Sequence, residues 1–279
     1  MTYRNTGGAV SPGVLEGDAV HRISTSTLRE YIALAPHERI AWHSAEELVP
    51  LREVRLMAPL DPPRNIVCVG RNYLEHAKEG ALAAGRELKL PSVPTFFTKA
   101  PTAIAGPDTT LHLQANLSYE YDFEAELAVV IGAKCKNLSE REALHVVFGY
   151  TALNDVTARN LQREHGQWFK GKSLDDSCPI GPWIVSPEEI GDAQKLDIAF
   201  RLNGVEKQRS NTAEMLFGIP RLIAELSNGM TLLPGDIIAT GTPAGVGFAR
   251  RPPEFLADGD VMEVEIERIG VLRNQVSIA

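Results

Sequence analysis

Apolar and polar residues alternate with a period of two along many short stretches of this chain, the spacing of strands with one buried face. In VMEVEIERI, Met262, Val264 and Ile266 fall on one face and Glu263, Glu265 and Glu267 on the other, which predicts an antiparallel strand with a solvated side. NIVCVG, TFFTKA, PWIV, DIAFRLNG, DIIATG and GVLRNQV also read as strands. Leu127 to Ile131 has no polar position on either face and predicts a strand buried on both sides. Helical signals are fewer. Thr27 with Glu30 forms a capping-box pattern ahead of a short helix through Leu28, Tyr31 and Leu34, and Ser139 with Glu142 forms another. RNYLEHAKE predicts a helical turn or two, and residues 80–92, small and mixed in character, predict a mobile loop. Asn211-Thr212 opens a helical region carrying Leu222, Ile223 and Leu226, which Asn228-Gly229 ends. Glu16-Gly17-Asp18 predicts a hairpin turn near the N-terminus. Strands dominate without regular βαβ alternation, so the expected class is α+β, β-rich.

Pro62 and Pro63 mark a stiff connector, which predicts a small N-terminal domain over 1–61 and a larger domain over 62–279. Within 279 residues, 44 % hydrophobic and 23 % charged content allow an ordinary core that needs no metal or disulfide merely to fold. A net charge of −8 without a long basic run argues against a nucleic-acid surface. Cys68, Cys135 and Cys178 are dispersed and odd in number, which argues against a disulfide scaffold and fits a reducing compartment. With no apolar run of membrane-spanning length and no signal-peptide core at the N-terminus, the expectation is a cytoplasmic protein with no membrane association.

The candidate chemistry centres on SYEYDFEAELAVVIG, where Glu120, Asp122, Glu124 and Glu126 occupy every second position. An extended strand would line these acids along one side. VMEVEIERI shows that alternating acids alone can be a solvated face, but here the strand runs directly into the fully apolar stretch. Glu124 and Glu126 are therefore expected in a covered site, where like charges roughly 7 Å apart call for a proton or a cation between them. A hard divalent ion with oxygen ligands is the natural partner. Strand geometry leaves open which acids bind. Asp155, between an apolar stretch and TARNLQ, is a third carboxylate, with a helix N-cap as its alternative role. His76 and Glu79 share a helix face at i, i+3 and can hydrogen-bond, as many surface pairs do. GTPAGVG lacks the ending of a P-loop and reads as a glycine-rich turn. Cys178 reads as a packed thiol.

NIVCVGRNYLEHAKE, PTFFTKAPTAIAGP, FEAELAVVIG, LNDVTARNLQ, FKGKSLDDSCPIGPW, RLNGVEKQ and GDIIATGTPAGVG, in that order, resemble the fumarylacetoacetate hydrolase family over roughly residues 62 to 279. The resemblance implies a fumarylacetoacetate hydrolase-like mixed β-roll, a homodimer, and Mg²⁺ or Mn²⁺ held by Glu124, Glu126 and Asp155. It implies that His76 and Glu79 form a dyad activating a water, His76 as general base, beneath a lid formed by residues 80–92. It places Lys172 and Gln162 in the catalytic site and Lys99, Arg159 and Thr242 near the substrate. The implied substrate is a small 2-oxo acid. The first implied reaction is hydrolysis of the carbon–carbon bond of an acylpyruvate-like 2,4-dioxo acid, such as fumarylpyruvate, through a metal-stabilised enolate. Isomerisation, hydration, and decarboxylation or tautomerisation of an oxaloacetate-like acid use the same intermediate, with ureidoglycolate cleavage a lesser alternative. A non-catalytic metal-binding protein, in which His76 and Glu79 have no role, is the reading from another class.

Overall fold

The structure is a computed structural model and describes residues 1–39 and 48–279. The N-terminal strands are β1 (Thr2–Arg4), β2 (Val10–Glu16), β3 (Ala19–Arg22), β4 (Leu48–Pro50) and β5 (Arg55–Leu56). They make a sheet in the order β4-β3-β2-β1-β5. The expected hairpin joins β2 to β3, with Gly17 supplying the left-handed turn residue. Helix α1 (Leu28–Ala33) is capped by Thr27, whose hydroxyl accepts from the Glu30 N–H, while the Glu30 carboxylate reaches back to the Ser26 N–H. A short helix, α2 (Pro36–Arg39), follows.

The larger part of the chain continues with β6 (Ile66–Gly70), α3 (Leu74–Ala83), β7 (Thr95–Lys99), β8 (Ile104–Ala105), β9 (Thr110–Leu113), β10 (Tyr121–Asp122) and β11 (Ala125–Ile131). Next come α4 (Glu140–Ala143), β12 (Val147–Asn154), β13 (Thr157–Ala158), α5 (Arg159–Glu164), α6 (Phe169–Lys172), β14 (Cys178–Val185) and α7 (Pro187–Ile190). The chain ends with β15 (Asp197–Leu202), β16 (Val205–Asn211), α8 (Ile219–Ser227), β17 (Ile237–Ala239), β18 (Val261–Ile266) and β19 (Gly270–Ile278). Two mixed sheets dominate, in the orders β7-β6-β17-β11-β12-β14-β8 and β16-β15-β18-β19-β9. The fold is α+β and β-rich, as the alternation predicted.

β11 lies inside the first sheet, between β12 and β17, and all seven of its residues are buried. Leu127, Val129 and Ile131 pack with Ile198 and Phe200 of β15 and Val264 of β18, between the two large sheets. Ala128 and Val130 point to the opposite face, where Ile32 of α1 and Ile66 of β6 cover them. Covering both faces is why the stretch carries no polar side chain. The N-terminal helix thus completes part of the larger core. β18 alternates as expected, with Met262, Val264 and Ile266 buried. The Asn211 side chain caps a 3-10 turn at Thr212–Glu214, and α8 starts separately after Gly218 with Pro220 in its first turn. Leu222, Ile223 and Leu226 on its inner face are each worth about 1.5–3 kcal/mol of burial. Among the described residues no helix is long and apolar enough to cross a membrane.

Candidate active site

The acidic stretch is not one continuous strand. β10 pairs with β13, β11 begins at Ala125 and pairs with β12 in the same register, and Phe123 and Glu124 lie between them. The Phe123 ring stacks on Phe200, with centroids 4.2 Å apart and planes 7° apart. Between the two strands Asn154 Oδ1 accepts the Glu124 N–H and Gln208 Oε1 accepts the Ala125 N–H, both at 3.0 Å, while the Glu124 carbonyl accepts the Asp155 N–H at 2.8 Å. The four acids take different partners. Glu120 pairs with Arg163 at 2.7 Å near the surface. Asp122 is buried and accepts from Arg159 Nε at 2.8 Å, the Gly247 N–H at 2.7 Å and the Phe248 N–H at 3.0 Å, so it is a tether. Glu124 and Glu126 join Asp155, each offering an oxygen within 4.8 Å of the others.

Asp155 is no helix cap, since α5 starts at Arg159 with no side-chain bond at its N-cap, Ala158. Its carboxylate accepts instead from Lys99 Nζ at 2.8 Å and Lys172 Nζ at 2.6 Å. Lys172 Nζ also donates to Glu124 Oε2 at 2.7 Å, and Arg159 reaches Glu124 Oε1 at 2.7 Å. Burial alone would raise the Glu124 carboxyl, but Lys172, Arg159 and His76 outweigh it and hold it well below the usual carboxylate range. Glu126 differs. Its one protein bond comes from the Gly241 N–H at 2.7 Å, and among the described residues it has no ion-pair partner. Burial, then the Asp155 and Glu124 charges, push it well above that range. A buried, oxygen-only set with one carboxylate lacking its own cation fits a hard divalent ion.

The predicted polar residues divide by position. Arg159, Gln162, Lys172 and Thr242 line a cavity of about 570 Å³ together with His76, Glu124 and Glu126. Arg159 donates to Gln162 Oε1 at 3.1 Å and lies over the Phe248 ring, 4.4 Å from its centroid. Thr242 Oγ accepts from Gln208 Nε2 at 2.8 Å. Lys99 was expected at the substrate, but it is fully buried outside the cavity lining, its ammonium held by Asp155 and, at 3.1 Å, the Val156 carbonyl. It sits behind Asp155 because β7 turns its last side chain inward. Cys178 is fully buried, and burial pushes its thiol up to about 12, as befits a packed group.

The dyad sits on α3, which is longer than the predicted turn or two and takes in Gly80 to Ala83. His76 Nδ1 lies 2.9 Å from Glu79 Oε1, and Glu79 Oε2 accepts the Gly245 N–H at 2.8 Å. With Nδ1 engaged by a carboxylate, the Nδ1–H tautomer is favoured and Nε2 carries the lone pair. Sequence reasoning did not single out Arg71, Trp168 or Phe248, which also line the cavity. Arg71 has a left-handed φ of 58° directly after Gly70, and its guanidinium lies 5.7 Å from the centre of the Trp168 ring.

Residues 65–277 match the family described as fumarylacetoacetate (FAA) hydrolase C-terminal. The chain is 45 % identical over 227 residues to oxaloacetate tautomerase YisK of Bacillus subtilis, spanning 81 % of this chain and 74 % of that protein. It is 39 % identical over 276 residues to 2,4-didehydro-3-deoxy-L-rhamnonate hydrolase of a Sphingomonas species, spanning 97 % and 93 %. The solved fumarylacetoacetate hydrolase of Exiguobacterium antarcticum superposes with a TM-score of 0.85 at 40 % identity, covering 100 % of this chain and 99 % of that one. Agreement in sequence, fold and length shows that the chain belongs to the fumarylacetoacetate hydrolase family.

Proposed function

We propose that the protein is a Mg²⁺- or Mn²⁺-dependent enzyme that moves a proton at the carbon next to the keto group of a 2-oxo acid carrying a second carboxylate. Enol–keto tautomerisation of an oxaloacetate-like diacid is the net reaction. One observation carries this reading: His76, held by Glu79, and the buried acids Glu124 and Glu126 line the same cavity. Glu124, Glu126 and Asp155 would hold the ion, which supplies Lewis acidity toward the 2-oxo oxygen. His76 Nε2 exchanges a proton with the adjacent carbon, while Glu79 fixes the ring and stabilises its charged form. Arg71, Arg86 and Lys89 also line the cavity and make no ion pair among the described residues, against a single unpaired acid in that part of the lining, Glu87. That surplus suits a second anionic group on the substrate.

The runner-up is hydrolysis of the carbon–carbon bond of an acylpyruvate-like acid, with His76 activating a water. The cavity volume, ample for a longer chain than a four-carbon diacid, and the likeness to a hydrolase favour it. An assay separates the two. Enol oxaloacetate is followed by its absorbance, and an acylpyruvate panel is analysed by product mass, each with and without chelator. Metal-dependent decay of the enol supports tautomerisation, pyruvate release from an acylpyruvate alone supports hydrolysis, and no turnover of either overturns both.

A further inference from the structure

We propose that Arg250, which lies outside the cavity, is a positioning residue for the dyad and acts through the glycine-rich turn. The inference rests on the reading of His76 as the base. α3 is anchored at its start, where Asn72 bonds Phe217 and Thr240 and Tyr73 bridges to Met215, but along its length only Ala77 is buried. The polar tie on its inner side is Glu79, which clasps His76 with one oxygen and the Gly245 N–H with the other. The direction of that N–H decides where Glu79, and so the imidazole, can sit.

Gly245 adopts φ +108°, and a Cβ there would run into the Lys207 carbonyl, so glycine is required. Its carbonyl accepts from Arg250 Nε at 3.1 Å and Nη2 at 3.0 Å. Nη2 also donates to the Lys207 carbonyl at 2.6 Å. One guanidinium thus clamps the turn to the end of the neighbouring sheet, a forked geometry that a lysine cannot reproduce. On either side the turn is pinned by other groups. Gln208 Nε2 donates to the Pro243 carbonyl at 2.8 Å, and Asp122 accepts from Gly247 and Phe248. Among the described residues, the side-chain bonds to Gly245 itself come from Glu79 at its N–H and Arg250 at its carbonyl. Its side chain is 30 % exposed, so replacing it opens no void in the core.

The test compares Arg250→Met and Arg250→Lys in wild-type and Glu79→Ala backgrounds. Arg250→Met is expected to lower kcat roughly 10- to 100-fold, the scale of a base displaced by about an ångström, with KM unchanged. Arg250→Lys should recover part of the loss. In the Glu79→Ala background Arg250→Met should cost nothing further, because the link it serves is already gone. An equal loss in both backgrounds, or full kcat in Arg250→Met, overturns the proposal. Amide hydrogen exchange at Gly245, followed by NMR on glycine-labelled protein without substrate, decides the matter independently of turnover. Protection should fall in Arg250→Met and in Glu79→Ala, and unchanged protection in Arg250→Met overturns the proposal. If wild type turns over none of the proposed substrates, the functional reading fails while this exchange measurement still stands.

Discussion

Replacing Glu126 with glutamine tests the proposed metal site without disturbing its shape. An oxygen of Glu126 lies within 4.8 Å of oxygens of Glu124 and Asp155, and the residue is 1 % exposed. At an effective dielectric of 20, one pair of unit charges at that spacing repels by about 3.5 kcal/mol. The bond from the Gly241 N–H survives the change, because an amide oxygen accepts as well as a carboxylate. Glu126→Gln should therefore leave the melting midpoint in chelator unchanged or raised. In wild type, a divalent ion at 100 times its Kd adds about 2.7 kcal/mol. For a chain of this length that is a rise of roughly 5 °C. The variant should show almost none of it. The pH dependence has a definite sign. The Glu126 carboxyl is raised in the folded state, so the metal-free protein binds an extra proton and loses stability as pH climbs from the ordinary carboxylate range through the raised value. Metal binding must expel that proton, so affinity rises with pH, and the glutamine variant lacks the slope. Thermal scans with Mn²⁺ or chelator across pH make the measurement. A variant that keeps the metal-dependent rise, or that loses several kcal/mol in chelator, refutes the reasoning.

Three further outcomes follow from named contacts. His76→Ala should lose roughly 10²- to 10⁴-fold in kcat while its metal-dependent melting rise stays intact, because His76 is not among the three clustered acids. Lys99→Met should destabilise the fold by about 3 kcal/mol in chemical denaturation, since it strips a buried Asp155 of one of its two ammonium partners. Arg71→Gln should raise KM for an oxo diacid roughly tenfold, the worth of one charge-assisted bond, and leave a monocarboxylate 2-oxo acid unaffected in steady-state kinetics.

Local patterns were readable wherever local physics decides. The hairpin at Gly17, the capping box at Ser139 and the double-sided burial of β11 all follow from a few adjacent residues. The interruption between β10 and β11 did not, because its contacts come from Phe200, Asn154 and Gln208, which lie 30 or more residues away. Strand alternation does keep Asp122 and Glu124 on one side, where Arg159 bridges them, but only the tertiary partners decide which acids gather with Asp155. Lys99 is placed near the substrate only by the family resemblance, and it takes the three-dimensional register to show its ammonium turned onto Asp155. The extension of α3 beyond Glu79 was hidden by Gly80 and Gly85, which read as loop residues until the packing of Gly80 near Phe248 is seen.

The charges around the site carry the argument one step further. Asp122, Glu124, Glu126 and Asp155 are buried together with Lys99, Arg159 and Lys172, so four carboxylates meet three cations. The cluster is one positive charge short, and the deficit falls on Glu126, the acid with no cation of its own. A proton satisfies it but cancels only one charge. A divalent ion overcompensates, turning the floor of the cavity from net negative to net positive. In that state the cluster attracts a carboxylate, whereas with Glu126 protonated it offers no net charge and with Glu126 ionised it repels an anion by the same few kcal/mol that separates the acids. Binding order follows from this electrostatic step. The ion must precede the oxo acid, and in chelator a 2-oxo acid should produce no shift of the melting midpoint at concentrations that saturate the metal-loaded protein.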